Sequence, residues 1–187
     1  MKRYSILIAT LIFISLLIIW AWFQINTKEP IYIALVTTLS GAGKSGGLAI
    51  RNGTEMAIEE VNSTGGISGQ LLKLMVFDDQ GNPNIAKEKA NQIAKDNKYL
   101  MVLGHYFSST SLAAGEIYKQ AQIPVITGTA TADDITQDNK WYFRVVPNNG
   151  FEGMFLANYI IKAMKQTKVT IIHDDKDDYS IFFGKRV

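Results

Sequence analysis

The run IYIALVTT at residues 31–38 is apolar along its length, with no alternation of polar and apolar side chains. A strand that offers neither face to water belongs in a sheet covered on both faces, which is how parallel sheets are built. After it come a glycine-rich turn and a helical stretch from Leu48 to Asn62. There Leu48, Met56 and Val61, with the small Ala49, Gly53 and Ala57 near them, form an apolar stripe. Gly65 and Gly66 suit the left-handed conformation that ends a helix, and LLKLMVF (71–77) reads as a second strand.

The same alternation continues outward. Asn82 followed by Pro83 reads as an N-cap and a first-turn proline, with Ile85, Ala86, Ala90, Ile93 and Ala94 on the apolar face of a helix to Asn97. YLMVLG (99–104) is a third strand, followed by a helix from Ser109 to Gln120, and PVITG (124–128) is a fourth. WYFRVVP (141–147) is a further strand, residues 149–165 a helix, and VTIIH (169–173) opens another strand–helix unit. Strands and helices in strict alternation predict an α/β fold with a doubly wound parallel sheet. The division expected is a cytoplasmic stub at 1–3, an apolar segment at 4–23, a linker at 24–30, a first lobe at 31–146 and the start of a second at 147–187.

Of the 187 residues, 47% are hydrophobic and 19% charged, a normal globular balance, and there are no cysteines and only two histidines. Disulfides, thiolate metal sites, cysteine nucleophiles and lipid attachment through cysteine are excluded, and no metal or cofactor is expected. Lys2 and Arg3 precede an uncharged run from Tyr4 to Phe23. At about 1.5 Å per residue that run crosses about 30 Å, the hydrocarbon core of a bilayer. No small-x-small cleavage site follows it, because Phe23 is too large for the last position. The run is expected to stay as a membrane anchor, with a cleaved export signal as the alternative. The basic pair holds the N-terminus inside the cell and sends the rest across. Without that pair, acidic and basic residues balance, so no nucleic-acid partner is expected.

Ligands of open parallel sheets bind beyond the carboxyl ends of the strands. The loop after the first strand carries Gly41, Gly43 and Gly46 in the GxGxxG spacing of dinucleotide sites, and Gly43-Lys44-Ser45 imitates the end of a phosphate loop. Both spacings fail further on: Asp78 lies too far downstream, and position 38 is Thr rather than Gly. A flexible turn is the plainer reading. The loop after the third strand, GHYFSSTS (104–111), sets Ser108, Ser109, Thr110 and Ser111 at a helix start. Free N–H groups, hydroxyls and the positive end of a helix dipole make a receptor for a carboxylate, whereas an ordinary N-cap needs one hydroxyl. The loop after the fourth strand, TGTATADD (127–134), adds Thr127, Thr129 and Thr131. His105 is expected to be a structural histidine, and Asp174, Asp175, Asp177 and Asp178 a solvated acidic turn without the glycine and glutamate of a calcium loop. Nothing resembles a catalytic set, so no enzyme is expected, and a nucleotide-dependent α/β enzyme is the disfavoured alternative.

Residues 31–183 resemble the type I periplasmic binding proteins, in the leucine/isoleucine/valine-binding branch of ABC-transporter receptors. The stretches that carry the likeness are ALVTTLSGAG, GTEMAIEEVNSTGGISGQLLKLMVFDDQGNP, GHYFSSTS, IPVITGTATADDIT, FRVVPNN and IIHDDKDDYS. The resemblance implies two doubly wound lobes with a small ligand, an amino acid or analogue, held between them. It implies that Ser108 and Thr131 hold the ligand's α-carboxylate, assisted by Ser109 and by main-chain groups of Thr129 and Ala130. Tyr179 would stand on the second lobe's side. Ser45 and glycines occupy the loop where relatives present an aromatic side chain. Phe107 stands where relatives often carry a cysteine. The implied role is a solute receptor working with an ABC permease, with a sensing ectodomain coupled to a signalling output as the alternative. Relatives are about twice as long, so the chain reads as a truncated piece that lacks most of the second lobe, and a non-functional fragment is the third reading.

Overall fold

A computed structural model describes residues 12–18, 20 and 28–185. Five strands, β1 (Ile31–Thr37), β2 (Leu72–Asp78), β3 (Tyr99–Gly104), β4 (Val125–Thr127) and β5 (Tyr142–Arg144), form one sheet in the order β2-β1-β3-β4-β5. Every neighbouring pair is parallel, so the doubly wound order read from the sequence is the one observed. The helices are α1 (Lys44–Ser63), α2 (Pro83–Asp96), α3 (Ser108–Ala121), α4 (Asp134–Gln137), α5 (Asn149–Asn158) and α6 (Asp178–Gly184).

Side-chain alternation divides the sheet. Ala34, Val36, Val102 and Val125 share a buried cluster with Ala86, Ala90 and Ile93 of α2 and Ala114 and Tyr118 of α3. Thr37 turns the other way, towards Gly47 of α1. The helix boundaries are chemically specified. The Asn82 side chain accepts from the N–H groups of Asn84 (2.8 Å) and Ile85 (3.4 Å), with Pro83 in the first turn. Gly65 and Gly66 end α1 with φ of +93° and +74°, as their spacing predicts. Asn62 then pairs with both main-chain groups of Leu72, accepting at 2.7 Å and donating at 2.9 Å, which sets where β2 begins.

Four expectations are corrected. The apolar stripe of α1 does not include Met56, which is exposed; half-buried Ile50, Thr54 and Ile58 follow Gly47 at helical spacing instead. The fifth strand is three residues long, and the helix after it leaves α geometry at Asn158 for a π turn over Tyr159–Ala163. VTIIH (169–173) forms no strand, and Ile172 is 94% exposed; a strand needs a partner ladder, and no described strand lies beside it. The short helix α4 was not foreseen. Tyr4–Phe23 lies largely outside the described residues; residues 12–18 are helical, and among the described residues no helix is long and apolar enough to cross a membrane.

Candidate functional site

Because all five strands are parallel, their carboxyl ends gather Thr38, Asp79, His105 and Thr127 at one rim, each buried. Asp79 is the hub. Its Oδ1 accepts from Thr38 Oγ1 at 2.9 Å and from the Gly81 N–H at 3.0 Å, and its Oδ2 meets His105 Nδ1 at 2.7 Å. Burial pushes the Asp79 pKa up, but the bonds from His105, Gly81 and Thr38 outweigh it, and the net shift is downward. A carboxylate can only accept, so Nδ1 carries the proton and Nε2 faces the Tyr118 hydroxyl at 3.2 Å. Burial raises the Tyr118 pKa well above its ordinary value, which keeps that hydroxyl protonated. His105 is thus the structural residue expected.

Asp78 closes the first loop, accepting from Leu39 N (2.8 Å), Ser40 Oγ (2.7 Å) and Gln80 N (2.8 Å). Partial burial raises its pKa and these bonds lower it further, for a net downward shift. The glycines of this loop answer to packing. A Cβ on Gly43 would lie 2.8 Å from the Phe107 ring, one on Gly46 2.3 Å from the Tyr106 hydroxyl, and one on Gly47 1.8 Å from the Thr38 carbonyl oxygen. Gly41–Gly43 is a 3₁₀ turn that runs directly into α1.

The third and fourth loops are stitched together by their hydroxyls. Thr127 Oγ1 donates to the His105 carbonyl (2.9 Å) and accepts from the N–H groups of Thr129 (3.3 Å) and Ala130 (3.1 Å). Thr129 Oγ1 donates to the Tyr106 carbonyl at 2.6 Å. Ser108 Oγ accepts from the N–H groups of Thr131 and Ala132, each at 3.3 Å. Helix α3 starts at Ser108, and its first backbone bond among the described residues runs from Ser111 N to the Phe107 carbonyl, so the amides before it are the free donors of a helix N-terminus. Thr131 is only 7% exposed, and its hydroxyl has no partner among the described residues.

These loops form one wall of a cleft of about 380 Å³, to which Tyr106, Phe107 and Ser108 contribute from the third loop and Thr129 and Thr131 from the fourth. Glu152, Asp177 and Tyr179 complete its lining. Of the residues singled out from sequence, Ser108, Thr129, Thr131 and Tyr179 therefore meet in one cleft. Ser109 lies in the first turn of α3 without lining it. Ala130 is buried, and its N–H, like that of Thr129, is already engaged by Thr127, so these two amides are not free for a ligand as expected. Ser45 is exposed on α1 and lies outside the lining. Tyr106, Glu152 and Asp177 were missed. Tyr106 sat inside GHYFSSTS, where the hydroxyl run drew the reading; Asp177 was absorbed into the acidic turn; Glu152 belongs to no motif.

A parallel α/β sheet with a hydroxyl-lined cleft at its carboxyl rim, completed by Glu152, Asp177 and Tyr179, is the plan of a solute-binding fold. The chain belongs to the periplasmic binding protein family, whose model matches residues 30–180. It is 33% identical over 155 residues to an amino acid binding protein of Pseudomonas aeruginosa, covering 82% of this chain and 41% of that one. It is 32% identical over 158 residues to the Leu/Ile/Val-binding protein of Escherichia coli, covering 82% of this chain and 42% of the relative. Among solved structures, the branched-chain amino acid transporter substrate-binding protein of Streptococcus pneumoniae, in complex with isoleucine, superposes with a TM-score of 0.78 at 25% identity. That match covers 84% of this chain and 45% of the other. The chain thus spans less than half the length of the relatives it matches.

Proposed function

We propose that the chain is the ligand-cradling part of an extracytoplasmic amino-acid-binding protein that serves an ABC-type transport system and performs no catalysis. The observation that carries this reading is the hydroxyl of Thr131, buried in the cleft wall without a partner beside Ser108. A buried polar group without a hydrogen bond costs about 1–3 kcal/mol, which a ligand carboxylate accepting from it would relieve. The Ser108 hydroxyl, already accepting two N–H groups, has its proton left to donate to the same carboxylate. The similarity to a Leu/Ile/Val-binding protein and to an isoleucine-bound substrate-binding protein supports an amino acid as the solute. The basic pair and apolar run at the N-terminus support export, with residues 4–23 read as an anchor. Carbonate extraction with mass spectrometry of the N-terminus tests that placement, and a soluble product beginning between residues 24 and 30 would refute the anchor.

The test is an amide chemical-shift titration of the whole chain in detergent micelles with millimolar L-leucine. Shifts are expected at Ser108–Ser111 and Thr129–Ala132, weakened about 10-fold by Ser108→Ala or Thr131→Ala. Shifts confined to other regions, or the same affinity in both variants, would overturn the reading.

A further inference from the structure

The cleft's charge balance goes beyond a generic amino-acid site. Its described lining holds two carboxylates, Glu152 and Asp177, and no lysine or arginine. Asp177 Oδ2 accepts the Ser180 N–H at 2.9 Å as the cap of α6, which leaves Oδ1. The Glu152 side chain has no partner among the described residues. Arg144, behind the fourth loop, is engaged there: it donates from Nη1 to the Ala132 carbonyl at 2.9 Å and from Nη2 to Thr136 Oγ1 at 2.6 Å. Among the described residues no lysine or arginine forms an ion pair with either cleft acid.

A ligand with one ammonium and one carboxylate, such as leucine, can pair with only one of these acids and leaves the other without a cation beside it in the cleft. Pairing the second acid as well adds a charge-assisted hydrogen bond that leucine cannot make. A ligand with a second cation removes the imbalance. The walls suit it as well: the Tyr106 ring is fixed edge-on to Phe107 at 4.8 Å, and Tyr179 is stacked on Phe183 at 6.1 Å, and held aromatic rings attract cations. The carboxylate end has its own independent anchor in the buried, unpartnered Thr131 hydroxyl.

We infer that the cleft selects amino acids with a positively charged side chain, using Glu152 and Asp177 as counter-ions and Tyr106 and Tyr179 as ring walls. The inference rests on the amino-acid reading above. It is tested by the same titration of the whole chain, run in parallel with L-lysine, L-leucine and 4-methylpentanoate. L-lysine is expected to half-saturate at a concentration about 10-fold lower than L-leucine, with 4-methylpentanoate weakest. Glu152→Gln and Asp177→Asn should each bring the lysine-to-leucine ratio close to one; Asn keeps the helix cap. Leucine binding as tightly as lysine, or a ratio unchanged in both variants, would overturn the inference while leaving the amino-acid reading in place. Absence of shifts at Ser108 and Thr131 with every ligand would overturn both.

Discussion

The imidazole of His105 and the carboxylate of Asp79 meet at 2.7 Å, and neither side chain is reached by solvent. The pair joins the ends of β2 and β3. Through the His105 carbonyl it reaches Thr127, and through Thr127 the amides of Thr129 and Ala130. The cleft's fourth loop is thus tied to a buried ionisable group that is not itself in the cleft.

That tie makes stability depend on acid in a definite direction. The Asp79 pKa is lower in the folded chain than its ordinary value. Its contribution is therefore full above the unfolded carboxyl pKa of about 3.9 and is lost as pH falls from there through the folded value, because the unfolded state takes up the proton first. Urea unfolding at pH 7 and pH 3 should show this loss in the wild type and a smaller one in Asp79→Asn. An equal loss in both would remove Asp79 from the acid response.

Two glycines of α1 should behave oppositely. A Cβ on Gly47 would lie 1.8 Å from the Thr38 carbonyl oxygen, a backbone atom with no room to move, whereas Gly53 has nothing within 4 Å. Gly47→Ala should prevent α1 from seating on β1 and lower the melting temperature sharply. Gly53→Ala should stabilise by about 0.5–1 kcal/mol, the helix-propensity gain. Thermal melts of the two variants check the contrast, and similar melting temperatures would contradict it.

The fold was legible because its signals are local and redundant. Asn82-Pro83, Gly65-Gly66 and the unalternating apolar strand at residue 31 each specify their element without help from distant residues. The meeting of Ser108 and Thr131 in one cleft was legible for the same reason, since they lie in loops the topology must bring to one rim. What failed were features set by packing between elements. Gly43 and Gly46 fall in the GxGxxG spacing of dinucleotide sites, yet their lack of a side chain makes room for Phe107 and Tyr106, residues about sixty positions away. Asp79 is adjacent to Asp78 and indistinguishable from it in sequence. Only the fold puts one against His105 and the other against Leu39 and Ser40.

Thr131 offers a test in which stability and binding separate. Its buried hydroxyl has no partner, so Thr131→Val, nearly isosteric, should leave the ligand-free chain equally stable or more stable by about 1 kcal/mol. The same change should weaken the response of this loop to an added amino acid about 10-fold. Chemical denaturation and the leucine titration together give the two readouts, and a destabilised variant that still binds would reverse the argument.

The segment from residue 165 to residue 174 should contribute almost nothing to the stability of the lobe. It has no regular structure, Val169 and Ile171 are exposed, and Ile172 is 94% exposed. Apolar side chains left in water have no transfer free energy to lose, and surface substitutions of this kind stay within about 0.5 kcal/mol. Ile172→Ser should therefore be neutral. By contrast Ile93→Ala, in the core between α2 and the sheet at 0% exposure, should cost about 2–5 kcal/mol. Hydrogen exchange should agree, with slow amides in β1 and β3 and fast ones throughout 165–174. Slow exchange across 169–173, or a large loss in Ile172→Ser, would mean that VTIIH pairs as a strand after all and that the second lobe begins to fold within this chain.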